Sequence, residues 1–512
     1  VHALSARAGV HAMRTLRLIV AAAVLAAPST AAWAAAPAPQ PGTATPLTVE
    51  RCVWIALNRN AKIAEARGSA AQYVALLAEV EANYYPKLSA LGWIAPMYSM
   101  EGGALDRNVT RKWKHLGDWG PYTHLEALFA QPLYTFGRLS AGVDAAEARL
   151  RVERARVRQA RHAVAAEVRK LFYTRLYALS LLPTLRTAAK IVDEAMEKAQ
   201  EGYDKGDGSV TQVDLMKLSY ADAEVTRYLR LAEDGARLAE AALRHTMGLA
   251  PDADVTFAGK RLRGMPAPAP PLADALAEAS RRRPEWTQLR AGAKAARSLQ
   301  RAEVLANAPI LLLAGSLQAS WAPTVDDTRN PFHYDRYNDL EGGVALAIKW
   351  DFDPAKAAAK ADSAKAQAAQ VEALRRYASS GIPTQVFQAW QASRQHCELV
   401  PVAKQGVKAT TKWQAFAAAA YRMGTGDAKD LLEGLVMALK AKETYYGQLR
   451  DCYIAHAELH RAMGRDDGVE APAPKQAAPA FAPAPAPPSA PATAPAVATA
   501  PVPAATTAPA TE

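Results

Sequence analysis

Tyr421-Arg422-Met423-Gly424-Thr425-Gly426-Asp427-Ala428-Lys429-Asp430-Leu431-Leu432-Glu433 decides the fold, because a closely similar stretch, Tyr203-Asp204-Lys205-Gly206-Asp207-Gly208-Ser209, stands earlier in the chain. Both set two glycines between alanine-rich helical segments, the composition of a helix that ends in a left-handed residue and reverses. Each reads as the tip of a helical hairpin. The helices that follow are expected to open on capping residues, Ser209 with Gln212 as a capping box and Asp427 with Asp430 as its acidic analogue.

The arms of both hairpins carry seven-residue periods. Val143, Leu150, Val157, Val164 and Leu171 mark a coiled-coil seam before the first tip, and Leu218, Val225, Ala232 and Ala239 line the return arm to Gly248. Around the second tip, a segment from residue 355 leads to Gly424, and Leu431, Ala438, Tyr445, Cys452 and Leu459 line the return to Gly464. Tyr203 and Tyr421 stand 218 residues apart, Gly248 and Gly464 216 apart. So constant an offset over a whole unit indicates a duplication.

Each unit also carries two stretches of period-two patterning ahead of its hairpin. Val344, Leu346, Ile348, Trp350 and Phe352 alternate with Gly343, Ala345, Ala347, Lys349 and Asp351. In the partner stretch Leu311, Leu313, Gly315, Leu317, Ala319 and Trp321 share one face. The first unit has blurred equivalents at 88–98 and 125–133. Polar, glycine-containing loops are expected at 101–120 and 323–342. Strands with one oily face and aromatic ends fit a membrane barrel; an ordinary soluble hairpin is the other reading of the same pattern. Before the strands, a helical pattern runs from 47 through 81 and is repeated from 272. The boundaries are an N-terminal extension and signal at 1–34, a Pro/Ala linker at 35–46, a first repeat at 47–264, a Pro-rich connector at 265–271, a second repeat at 272–464 and a disordered Pro/Ala tail at 465–512.

The signal is Met13-Arg14-Thr15-Leu16-Arg17, an apolar run over 18–27 and Ala32-Trp33-Ala34, a secretory signature that implies export. The run is too short for a retained spanning helix and no cysteine follows to take a lipid; no later segment has eighteen uninterrupted apolar residues, so a place in a membrane implies a β-barrel. Of the 512 residues, 50% are hydrophobic but only 7% aromatic, which favours extended helices packed through small side chains. The net charge of +11 raises nucleic acid as a partner. However, the run Arg149, Arg151, Arg154, Arg156, Arg158 and Arg161 has no interleaved aromatics and reads as a solvated helix face. His456 and His460 stand at i,i+4 without a third ligand, and no Walker, nucleophile-elbow or zinc pattern occurs. No enzyme, metal or cofactor is expected.

Helix, two strands and long hairpin, repeated behind a signal, together with Gln131-Pro132-Leu133-Tyr134 leading to Gly137-Arg138, resemble the TolC-like outer-membrane efflux protein family over about 47–464. The resemblance implies a mainly α fold with a transmembrane β part: a homotrimer in which four strands per chain complete a twelve-stranded barrel continued by an α-helical tube in the periplasm. Four strands alone cannot close a barrel, so several chains must share one. The resemblance further implies a duct serving a tripartite efflux or type I secretion system, with an inner-membrane pump, a periplasmic adaptor and outer-membrane lipid as partners and no nucleic acid. Tyr421, Asp430 and Glu433 match the residues that narrow the periplasmic end in the family; Gly426 stands where members can carry a basic residue. Gly206, Gly208, Ser209, Gly424, Gly426 and Asp427 fall at the adaptor-facing tips. A periplasmic coiled-coil scaffold explains only the helices, and a secreted nucleic-acid binder only the charge.

Cys397 lies 27 residues before Gly424 and Cys452 26 after Gly426. In an antiparallel hairpin both sit roughly 40 Å from the tip, which makes them candidates for a bridge in an oxidising compartment; two reduced, buried thiols are the alternative.

Overall fold

The computed structural model describes residues 46–99, 119–206, 210–325 and 335–465. The signal, nearly all of the 35–46 linker, the tail beyond residue 465 and most of both strand-connecting loops lie outside these. The first repeat is α1 (Val49–Arg59), α2 (Ala61–Glu81), β1 (Lys87–Tyr98), β2 (Trp119–Tyr134), α3 (Arg138–Lys205) and α4 (Gln212–Thr246). The second is α5 (Leu272–Arg282), α6 (Pro284–Val304), β3 (Ile310–Trp321), β4 (Asp339–Lys349), α7 (Pro354–Met423) and α8 (Ala428–Met463). Elements match in length: α1 and α5 have 11 residues each, α2 and α6 have 21, α3 and α7 have 68 and 70. At 1.5 Å per residue the long arms reach about 100 Å.

The helical pattern over 47–81 is two helices rather than one. Asn60 breaks it with extended backbone: its side chain accepts from Lys62 N at 2.9 Å, capping α2, and its amide donates to Thr246 O at 2.7 Å. The matching break is Arg283-Pro284, where proline supplies the first residue of α6. Each break receives the end of its repeat's last helix. Gly248 has φ +65° and an added Cβ there would stand 2.6 Å from Arg59 O. Gly464 has φ +71° and its Cβ would stand 2.7 Å from Arg283 N. Only glycine serves at either place, for conformation and for closeness.

In the hairpins, the return-arm seams Leu218, Val225, Ala232 and Ala239, and Leu431, Ala438, Cys452 and Leu459, are buried. On α3 the expected seam is only partly correct: Leu150 and Val164 are buried, whereas Val143, Val157 and Leu171 are half-buried. Ala141, Ala148, Ala155 and His162 form an enclosed line there. The reason is that α3 packs against α2, α4, α6 and α8 together, so it buries more than one stripe, and small side chains permit the close approach. The arginine run is answered within the helix: Arg149 and Arg156 hold the 1%-exposed Glu153 at 3.2 and 3.0 Å, and Arg151 pairs with Glu147. The connector after α4 is pinned at mid-arm, since Arg175 bonds Gly259 O, Ser180 Oγ accepts from Leu262 N, and Tyr453 donates to Arg263 O.

Cys397 of α7 and Cys452 of α8 form a disulfide with Cα atoms 4.8 Å apart; Cys52 is a free, buried cysteine. The bridge closes a 55-residue separation, a loop whose closure removes about 4 kcal/mol of unfolded-chain entropy in the polymer account. Cys397→Ser with Cys452→Ser is therefore expected to lower the melting temperature of the purified protein. Mass spectrometry of non-reduced, alkylated peptides should show Cys397 linked to Cys452; alkylation of both would contradict the bridge.

The four strands form one antiparallel sheet in the order β1-β2-β3-β4. Two strands differ from expectation. β2 starts at Trp119 rather than 125, because pairing with β1 continues to Tyr98↔Trp119. β4 starts at Asp339, inside the expected loop, and stops at Lys349, because β3 offers it partners only from Ser320 to Ile310. Trp350 and Phe352 thus lie past the strand end, where Trp350 Nε1 donates to Asn307 O.

Candidate functional site

Register places Leu88, Ile94, Leu125, Phe129, Leu313, Leu317, Val344, Leu346 and Ile348 on one face of the sheet. The opposite face carries the row Leu91, Glu126, Gln318 and Glu341, and beside it Trp93, His124, Ser320 and Asp339. His124 Nδ1 lies 3.0 Å from Ser320 Oγ, and Trp93 meets Tyr122 edge-on at 5.0 Å. Most of the oily face is exposed in the single chain: Ile94, Val344, Leu346 and Ile348 each keep at least 70% of their surface open. A sheet with one oily and one polar face can separate lipid from water.

At the other end of the long helices the two tips lie together. Ala195 and Ala199 of α3, Leu218 of α4, Ala418 of α7 and Leu431 of α8 make one apolar cluster. The first tip closes on Gly206, φ +65°, at the end of α3; Gly208 and Ser209 lie outside the described residues. The capping box here is Thr211 with Asp214 rather than Ser209 with Gln212. Thr211 Oγ1 accepts from Asp214 N, and the Asp214 carboxylate accepts from Thr211 N. Both pairs satisfy the pattern, but the carboxylate is the stronger acceptor. It is held below its ordinary pKa chiefly by the Thr211 hydroxyl.

The second tip closes on Gly424, φ +77°, after which Thr425 N, Gly426 N and Thr425 Oγ1 all donate to Ala420 O. Asp427 has the extended backbone of an N-cap, but its side chain accepts no first-turn N–H, so the acidic capping analogue is not formed. Asp430 and Glu433 lie one turn apart on α8, both exposed, with Lys429 3.9 Å from Glu433. Tyr421 turns the other way. Its hydroxyl donates to Ala195 O at 3.2 Å and its ring packs on the apolar cluster. Burial, with Asp214 nearby, raises its phenol above the usual value.

One contact here had no signal in the sequence. Lys198 of α3 donates to Tyr421 O at 3.0 Å and Arg422 O at 2.6 Å, covering the last carbonyls of α7. His456 and His460 have ring centroids 4.3 Å apart; among the described residues no group of three His, Cys, Asp or Glu is placed to hold a metal. None of the described helices is long and apolar enough to cross a membrane.

Residues 54–249 match the model of the outer membrane efflux protein family. Among solved structures, the Campylobacter jejuni CmeC outer membrane channel superposes with a TM-score of 0.68 at 13% identity, covering 81% of this chain and 85% of that one. The outer membrane protein VceC from Vibrio cholerae gives 0.64 at 17%, covering 81% and 96%. The open state of the Neisseria gonorrhoeae MtrE outer membrane channel gives 0.61 at 18%, covering 81% and 88%. No curated protein matches the sequence significantly. The chain thus carries sequence similar to the outer membrane efflux protein family over most of the first repeat and shares the fold of these outer-membrane channels over both repeats.

Proposed function

We propose that three copies of this chain close one duct through the outer membrane and periplasm, passing substrates from an inner-membrane pump and a periplasmic adaptor to the exterior in tripartite efflux or type I secretion. The observation that carries this reading is that both layers of the chain end in open edges. The sheet stops at β1 and β4. The helices pack in the order α4, α3, α8, α7, which leaves α4 and α7 outermost.

Each outer helix bears an exposed apolar stripe. On α7 it is Leu399, Val402, Trp413, Phe416 and Met423, whose separations of 3, 11, 3 and 7 positions keep them on one side of the helix; on α4 it is Val213, Met216, Tyr220, Tyr228, Leu231 and Leu238. α7 runs toward the tip and α4 away from it. Met423 and Val213 therefore share the tip end, Phe416 and Tyr220 lie seven residues further, and Val402 and Leu399 are level with Leu231 and Leu238. Such a pairing would be head-to-tail between different surfaces, which generates a ring where the rotation closes. Three chains would supply twelve strands, enough for a barrel. The oily sheet face then meets lipid, and the row Glu126, Gln318, Glu341 lines water. The tips at Gly206–Ser209 and Gly424–Asp427 face the adaptor.

In this arrangement Asp430 and Glu433, repeated around the axis, place six carboxylates at the periplasmic end, attracting cations and narrowing the passage, while Tyr421 ties its tip to α3. Replacing both by Ala is expected to raise single-channel conductance in planar bilayers and weaken block by multivalent cations. Unchanged conductance and block would remove the gate role. The duct itself is tested by fractionation: the protein should be extracted with outer membranes and conduct ions when reconstituted. Release with soluble periplasmic proteins and no conductance would favour a scaffold instead.

A further inference from the structure

We propose that a basic cleft between α6 and α7 is a carboxylate site that fastens the tube to the peptide stems of the cell wall; its outward facing rests on the duct reading above. The net charge of +11 has no part in that reading, and here some of it gathers. The cleft, of about 290 Å³, is lined by Arg290, Ala293, Lys294, Arg297 and Ser298 of α6 and Arg375 of α7, with no acidic side chain among the described residues lining it. Ala293 is buried and all four cations are exposed. Only two carboxylates answer them: Lys294 lies 3.4 Å from Asp144, and Arg297 and Arg375 share Glu372 at 3.4 and 2.6 Å. Among the described residues Arg290 bonds only its own helix, at Trp286 O. Each chain thus keeps two positive charges in excess at the cleft. Guanidinium groups suit a carboxylate there, because their planar fork can donate two parallel bonds to it.

Position excludes cargo and lipid as the partner. Arg375 stands 11 residues, about three turns, before Val386, so the two share a side of α7. Val386 clusters with Ala275 and Ala279 of α5, and Trp390, one turn further, donates to Pro270 O. α5 and the connector before it therefore cover that side of the long helices. A duct keeps its inner side clear, which puts the cleft on the outside, away from the cargo. Arg297 and Arg290 stand 13 and 20 residues before Ile310, where the sheet ends, or about 20–30 Å along the helix. Lipid headgroups extend only about 5–7 Å beyond the hydrocarbon. The anionic polymer that a periplasmic tube must cross is the cell wall, whose peptide stems carry free carboxylates. A cleft of this size takes the end of such a stem and excludes a folded protein.

Cosedimentation of the purified full-length protein in detergent with isolated cell-wall sacculi tests the site. Wild type should pellet with the sacculi at low salt and be released as salt rises. Arg290→Glu with Arg375→Glu is expected to weaken retention roughly tenfold or more, since each chain loses two charge-assisted contacts and three chains act together. Lys404→Glu with Lys408→Glu, the same change of charge at exposed positions nearer the tip of α7, should be retained as wild type. Arg290→Gln with Arg375→Gln provides the same test should the glutamate pair assemble poorly. Sacculi whose carboxylates have been amidated should no longer retain wild type. The site is overturned if wild type is not retained, if both cleft variants bind as wild type, if the Lys404 and Lys408 control loses as much, or if amidated sacculi bind as well. Equal binding to phosphatidylglycerol vesicles or duplex DNA through the same arginines would overturn the wall as the partner. Absence of conductance by wild type contradicts the duct reading, a result separate from retention.

Discussion

Phe416→Glu is expected to abolish assembly, leaving a chain that is made and exported but does not form the proposed trimer. Phe416 keeps 76% of its surface exposed in the single chain, in line with Trp413 and Met423 on the outermost helix. A buried aromatic side chain contributes about 1.5–3 kcal/mol, and in a ring the loss is repeated at each of three joins. The glutamate adds a carboxylate without a partner in an apolar seam, at several kcal/mol per copy. Phe416→Leu, which keeps the seam apolar, should still assemble. Size-exclusion chromatography with light scattering in detergent reads the outcome: a stable Phe416→Glu trimer would mean that this face of α7 meets water or lipid.

The second large effect concerns two glycines that end long helices, Gly206 at the first tip and Gly464 at the end of the second return arm. Gly206 and Gly464 share a left-handed backbone, but a Cβ on Gly206 would meet nothing within 4 Å, whereas on Gly464 it would stand 2.7 to 2.8 Å from the backbone of Arg282 and Arg283. Gly206→Ala should therefore cost only the conformational strain, about 1–2 kcal/mol. Gly464→Ala must add the displacement of a backbone held by Pro284 and the α5–α6 break, for a total above about 3 kcal/mol. The expected result is near-normal melting and yield for Gly206→Ala and severely reduced yield for Gly464→Ala. Equal behaviour would show that the docking of α8 on the Arg283 break contributes little.

Much of this fold was legible because it repeats. Paired glycines at 206 and 424 and at 248 and 464 stand where the backbone is left-handed, and the stripes of the return arms are periodic because each faces one neighbour. The readings that differed did so where a residue answers something distant. Asn60 reads as an ordinary helical polar residue; what makes it a break is Thr246 O, 186 positions away. The α3 seam departs from its seven-residue period because that helix is enclosed from several sides by elements from both repeats. β2 was read too short because its first residues pair only with β1 and carry Gly120 and Pro121, which alone resemble a loop. Lys198 could not be found in advance at all, since its partners lie 223 and 224 positions away on the other repeat and a lysine on an exposed helix face carries no distinguishing pattern.

The central claim is that one chain is a third of a closed duct. Native mass spectrometry of wild-type protein extracted from outer membranes in mild detergent tests it most directly. A single dominant species of three chains is predicted, dissociating to monomers only under unfolding conditions. A stable monomer, or an open-ended ladder of oligomers, would contradict it.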